Sequence, residues 1–291
     1  MRITSHRMLE LASQATGSAQ SDVSRLASQV SSGRKVERPS DDPVAWAHAR
    51  RLELRNTLSE GRGDGIGLGR DQLRDTDRAL GSIGDILAEA KQLAVQASNA
   101  SYNANDRAAM REVVAGLLEV ARSAANSRTT SGEYVLAGAQ STAEPFDAGG
   151  RYLGDAGSRA LETAETGLGV TTMPGTVLTA ANGVDVLPAL ARFAAALGAN
   201  DLVGIQKAID ELSTGHEQVS KARATTGSLL AVFDGADDAR AGLEDTLQER
   251  VAALTEIDII TAASELAQRT RALEVAQTIN GRLAQMLAPR R

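Results

Sequence analysis

Apolar residues recur at helical spacing over most of the chain, and the two ends carry the clearest stripes. Near the amino end Met8, Ala12, Ala15, Ala19, Val23, Leu26 and Val30 follow at steps of 4, 3, 4, 4, 3 and 4. Ala15 to Leu26 and Ala19 to Val30 are each steps of 11, nearer the 11-residue coiled-coil repeat than a strict 7. The opposite face is Ser, Gln, Thr and Asp, so the stripe is too thin to stabilise a lone helix. At the carboxyl end Ile259, Ala263, Leu266, Thr270, Leu273, Ala276, Ile279, Leu283 and Met286 form a matching stripe. The two segments read as halves of a coiled coil whose seam includes Met8, Leu26, Val30, Ile259, Leu266, Leu273, Ile279 and Leu283. Each is expected to order only on pairing. The competing reading packs both against a central globule.

Between the stripes lie more helices and one change of character. Gly33 suits the residue just past a helix end. In Pro39-Ser40-Asp41-Asp42-Pro43, Ser40 or Asp42 suits an N-cap and Pro43 the first turn of the next helix. That helix then meets Gly61, Gly63, Gly65, Gly67 and Gly69. An interior glycine costs about 1 kcal/mol relative to alanine, so a break or a soft, packing-dependent stretch is expected there. Helical spacing resumes through Leu73, Leu80, Ile83, Leu87 and Leu93, and again over 106–127, 189–197 and 202–228. Leu243, Leu247, Val251, Leu254 and Ile257 continue it. From Glu133 to Pro188 glycine rises and short β-like runs appear: Tyr134-Val135-Leu136, Gly169-Val170-Thr171-Thr172 and Thr176-Val177-Leu178.

These patterns predict a mainly α, elongated protein. Segments 1–42 and 243–291 form a terminal helical coiled coil, and 43–135 and 189–242 a helical rod domain. Residues 136–188 are read as a small β-rich surface domain whose removal spares assembly.

Composition narrows the function more than the fold. Aromatic residues are only 2%, so alanine, leucine and valine must build the core, which favours close-packed helices. A net charge of −6 lacks the basic footprint of a nucleic-acid binder. No run approaches a membrane span, and the amino end lacks the apolar core of a cleaved signal peptide, so membrane insertion is not expected. The absence of cysteine excludes disulfides and thiolate metal sites.

Candidate chemistry is sparse. His6, His48 and His216 are scattered without helical-spaced partners, so no metal or general-base site is read from them. The Gly-x-Gly elements of 61–69 lack the flanking strand and Gly-Lys-Ser/Thr of a phosphate cradle. Arg62-Gly63-Asp64 is read as a chance tripeptide, and Trp46 as a packing anchor. No catalytic residue, cofactor or metal is assigned, and the chain is not expected to be an enzyme. The remaining candidate site is the turn Gly33, Arg34, Lys35, Ser40, Asp41, Asp42 and Pro43, where aspartates cap a helix or meet Arg34 or Lys35 of a neighbouring copy.

Three landmark groups resemble the flagellin superfamily, specifically its hook-associated type 3 members, the hook–filament junction proteins. The first is Ser32-Gly33-Arg34-Lys35-Val36 with Pro39-Ser40-Asp41-Asp42-Pro43, after a seam helix opening Met1-Arg2-Ile3. The second is Thr76-Asp77-Arg78-Ala79-Leu80, Leu93-Ala94-Val95-Gln96-Ala97-Ser98-Asn99 and Asp106-Arg107. The third is Ser131-Gly132-Glu133-Tyr134-Val135-Leu136-Ala137-Gly138, Pro145-Phe146 and Tyr152-Leu153-Gly154-Asp155. The chain departs from the resemblance at Ala288-Pro289-Arg290-Arg291, where junction proteins commonly carry a leucine-rich, tyrosine-containing tail. The resemblance implies a structural subunit of the bacterial flagellum, exported without a cleaved signal and located outside the cell at the hook–filament junction. Its implied partners are itself in a ring, the first hook-associated protein, flagellin and an export chaperone. Alternatives are a filament flagellin or a soluble coiled-coil scaffold or signalling protein.

Overall fold

A computed structural model describes residues 2–164 and 167–287. Six α-helices dominate the described residues: α1 (Arg2–Ser32), α2 (Pro43–Ala97), α3 (Ala104–Ala125), α4 (Val186–Gly198), α5 (Leu202–Thr255) and α6 (Ile259–Leu287). Two three-residue strands, β1 (Ala160–Glu162) and β2 (Leu168–Val170), pair antiparallel. The chain divides into two compact units, Met1–Leu58 with Leu243–Arg291, and Ser59–Gly242.

In the first unit α1 and α6 pair in opposite directions. Asp22 of α1 meets Arg269 of α6 at 3.1 Å, while Ala12 meets Asn280. Leu26, Ala262 and Leu273 are buried here. The half-buried positions of α1 include Ala12, Thr16, Ala19, Val23 and Val30. Ala12, Ala19 and Leu26 are one heptad apart, as are Thr16, Val23 and Val30, so the pair follows a 7-residue repeat and not the expected 11. The reason is Thr16: its hydroxyl donates to the Ala12 carbonyl at 2.8 Å, which lets a polar residue face the seam while Ala15 stays exposed.

The second unit is built on one apolar core. Leu80, Ile83 and Leu87 of α2 pack with Val114 and Ala121 of α3, Leu190 and Phe193 of α4, and Leu212 and Val219 of α5. Buried Arg107 ties this frame together: it donates to the carbonyls of Ala97 and Asn99 at 2.8 and 3.1 Å and to the Asn200 side chain at 2.7 Å. Asn103 and Asp106 form a reciprocal capping box at the start of α3.

The structure decides between the two readings of the glycine stretch and corrects that of 136–188. The helix does not break at Gly61–Gly69: α2 runs unbroken from Pro43 to Ala97. Ile66 and Leu73 are buried there with Phe233 of α5, and that packing offsets the weak propensity. Nor is 136–188 a separate β-rich domain. Leu136, Phe146, Met173, Leu178, Val186 and Leu187 belong to the same core as the helices. Of the three expected strands, only the Gly169 run overlaps one; Tyr134 makes a single bridge to Arg128, and Gly175–Leu178 is a 3₁₀ turn.

Side chains, in place of a sheet ladder, satisfy much of this segment's backbone. Asp155 accepts from the N–H groups of Ala139, Gln140 and Gly157. The Gln218 carboxamide donates to the carbonyls of Val177, Thr179 and Val184 and accepts from the Val184 N–H.

Glu133 anchors β1 to α2. Arg159 donates to both its oxygens at 2.7 and 2.8 Å, Ser141 donates at 2.9 Å and Gln72 at 3.2 Å. The Arg159 guanidinium is the main cause holding its carboxyl down at about 2. Asp155 is lowered too, first by the Ala139 N–H. A depressed carboxylate contributes stability above its unfolded value, near 4 for Asp and Glu, and loses it as pH falls through the folded value. The melting temperature is therefore expected to be flat down to about pH 5 and to fall steadily below about pH 4. Glu133→Gln should lower it at neutral pH and flatten the acid slope; a melt with the wild-type slope in that variant would contradict this role.

Candidate assembly surface

Two chain reversals meet in the first unit. α1 ends at Ser32, and Gly33 turns the chain at φ 72°, a left-handed conformation open to a residue without Cβ. The following residues run beside the link between α5 and α6. The N–H groups of Lys35 and Val36 donate to the Thr255 carbonyl at 2.7 and 3.4 Å, and Ile257 N–H donates to the Gly33 carbonyl at 3.0 Å. Lys35 Nζ donates to the Ala253 carbonyl at 2.8 Å, and Arg34 lies 3.6 Å from Glu53. Each link thus uses backbone groups of the other, including ones a helix end leaves open.

The two aspartates divide the work. Asp42 caps α2, accepting from the N–H groups of Val44 and Ala45 at 3.0 and 2.9 Å, with Pro43 as the first helical residue. Asp41 accepts from Glu37 and Arg38 N–H at 3.0 and 2.9 Å, and the Arg38 N–H is the first cause holding its carboxyl below the usual range. It braces the link rather than the helix. Ser40 is exposed in the same turn. Arg34 and Lys35, expected to reach a neighbouring copy, are thus engaged within their own chain.

The seam residues separate into two groups. Leu26 and Leu273 are buried, and Val30, Leu266 and Leu283 half-buried. Met8, Ile259 and Ile279 are exposed by 64%, 55% and 52%, so they do not line the contact between α1 and α6. Ile259 instead lines a cleft of about 750 Å³ beside Gly33, Glu53, Leu247, Val251 and Thr255. Met286 and the first six residues have side chains outside the described set.

Helical spacing puts four of the exposed apolar residues on one flank of the pair. Arg269 bridges Asp22 at 3.1 Å and Glu265 at 2.9 Å, and this trio marks the flank. Leu11 stands eleven residues from Asp22, three helical turns, and Ile279 fourteen from Glu265, four turns. Leu11 and Val275 are 61% and 58% exposed, so Met8, Leu11, Val275 and Ile279 form an open apolar strip beyond the charged trio. Sequence periodicity found Met8 and Ile279 but assigned them to the internal seam; it missed Leu11, Val275, Thr16 and Asn280. A signal was present in the steps from Thr16 to Val23 to Val30.

Residues 4–141 match the bacterial flagellin N-terminal helical region. The chain is 28% identical to flagellar hook-associated protein 3 of Salmonella typhimurium over 155 residues, 53% of this chain and 49% of that protein. It thus spans about half the length of that relative. It is 33% identical to the flagellin of Listeria monocytogenes over 79 residues, 27% of this chain and 28% of that one. The solved structure of a protein described as a flagellar hook-associated protein of Vibrio parahaemolyticus superposes with a TM-score of 0.69 at 17% identity, over 74% of this chain and all of that one, and so shares its fold.

Proposed function

We propose that this chain is a structural subunit of the bacterial flagellum at the junction of hook and filament. It associates with further copies of itself through the terminal helix pair. The observation that carries this reading is the open apolar strip of Met8, Leu11, Val275 and Ile279 on a pair whose internal seam is already filled. Four large apolar side chains on one flank suit burial against another protein surface. The similarity to hook-associated protein 3 supports the junction as the location, outside the cell. The first hook-associated protein and flagellin are then the neighbours on either side, and a flagellar chaperone accompanies export.

Leu11→Lys with Ile279→Lys tests this. Both positions are exposed, so monomer stability should stay within about 0.5 kcal/mol of wild type, while rings on purified hooks, counted by electron microscopy, should fall at least tenfold. Unchanged ring formation would refute the strip as the contact. The stretch similar to Listeria flagellin supports a second reading, a filament subunit, which long self-made filaments of the wild-type chain would establish.

A further inference from the structure

The carboxyl-terminal helix offers α1 two faces, and the chain uses the less apolar one. A face containing Ile279 would place a large aliphatic side chain in the seam, yet Ile279 is 52% exposed and Asn280 is turned inward. The Asn280 Nδ2 donates to the Ala12 carbonyl at 2.9 Å and also to the Thr16 hydroxyl. Thr16 in turn donates to that same Ala12 carbonyl at 2.8 Å, so the three groups close one hydrogen-bonded cluster inside an Ala/Leu/Val seam.

We propose that Asn280 is the residue that determines how the terminal helices pair: it selects the rotation and register of α6 on α1, and thereby keeps Ile279 and Val275 on the outer flank. The physical reason is asymmetry. A half-buried carboxamide loses its water and must find partners, and only one alignment brings it to the Ala12 carbonyl and Thr16 hydroxyl. Leucine and alanine contacts are non-directional, so neighbouring registers of an all-apolar seam differ little. A single polar residue at a seam position fixes register at some cost in stability. Among the described seam positions of α6, Leu266, Leu273, Ala276 and Leu283 are apolar, and Thr270 donates its hydroxyl to its own helix at the Leu266 carbonyl, which directs no pairing with α1. The inference rests on the proposed role of the strip only for its consequence, since the pairing geometry can be read without assembly.

The test uses the full chain, whose lack of cysteine leaves introduced thiols alone. Asp22→Cys with Arg269→Cys places two thiols where the structure brings the side chains to 3.1 Å, and a short bis-maleimide should join them in high yield. Losing that exposed ion pair itself changes little. Adding Asn280→Leu should lower the cross-link yield at least fivefold while helix content and melting temperature hold or rise. Thr16→Ser, which keeps a hydroxyl acceptor, should leave the yield unchanged. An equal yield with Asn280→Leu would overturn the proposal. So would loss of the cross-link together with loss of helix, because Asn280 would then only support the pair and not direct it. Ring formation on hooks, measured separately, tests the strip: rings lost while the 22–269 cross-link persists would count against Asn280 as the selector of the exposed flank.

Discussion

Replacing residues 137–187 with a short Gly-Ser linker is expected to abolish cooperative folding of the second unit. The excised segment carries Phe146, Met173, Leu178, Val186 and Leu187, all at 5% exposure or less in the core shared with α2, α4 and α5. Truncating one large core side chain costs about 2–5 kcal/mol, whereas a whole domain is stable by about 5–15 kcal/mol. Five such losses together are as large as that margin or larger. The polar side points the same way. Gln218, at 4% exposure on α5, would lose the partners its carboxamide has in Val177, Thr179 and Val184 and be left with an unsatisfied buried amide. Thermal melting followed by circular dichroism should show no sharp transition for this unit. A cooperative melt near the wild-type temperature would show instead that the segment is the detachable module its glycine-rich sequence suggests.

The glycines of α2 should respond to alanine in opposite directions. A Cβ built on Gly61, Gly65 or Gly67 meets nothing within 4 Å, so alanine there gains helix propensity without a clash. At about 1 kcal/mol per site, the triple variant should be more stable by about 2–3 kcal/mol. Gly69 is different. A Cβ there would stand 2.6 Å from the Phe233 ring and 2.8 Å from the Thr171 methyl. Phe233 is fully buried, and on its other side Gly169 of β2 leaves only 2.7 Å for a Cβ. The ring therefore has little room to move away. Overpacking of this kind costs about 1–3 kcal/mol, enough to cancel the propensity gain and leave Gly69→Ala less stable than wild type. Urea unfolding of the two variants would measure both signs; a stabilised Gly69→Ala would mean that Phe233 can shift and that its seat between two glycines is loose.

Much of the helical frame was legible because it depends on local rules. Asp42 and Pro43 start α2 and Gly33 ends α1 through capping chemistry that acts within a few residues. The two terminal stripes were legible as partners because each is too thin to be stable alone. The assembly strip was only half legible. Met8 and Ile279 stood out as apolar, but a period cannot say whether an apolar residue fills its own chain's seam or faces outward.

What the sequence determined by itself, then, is the order of most helices, the pairing of the two ends and the absence of cysteine chemistry. Each of these rests on spacing, propensity or composition, which the chain carries locally. Tertiary structure alone decided that α2 continues through its glycines, because Phe233 and Ile66 pack there from elements far apart in sequence. It alone decided that 136–188 is core, because its apolar residues have no period of their own and are fixed by Asp155, Gln218 and the helices around them. The inward face of α6 likewise depended on a carbonyl and a hydroxyl contributed by Ala12 and Thr16. A hydrogen bond between residues more than 260 positions apart has no local signal, and it turns Asn280 inward where hydrophobicity would have chosen Ile279.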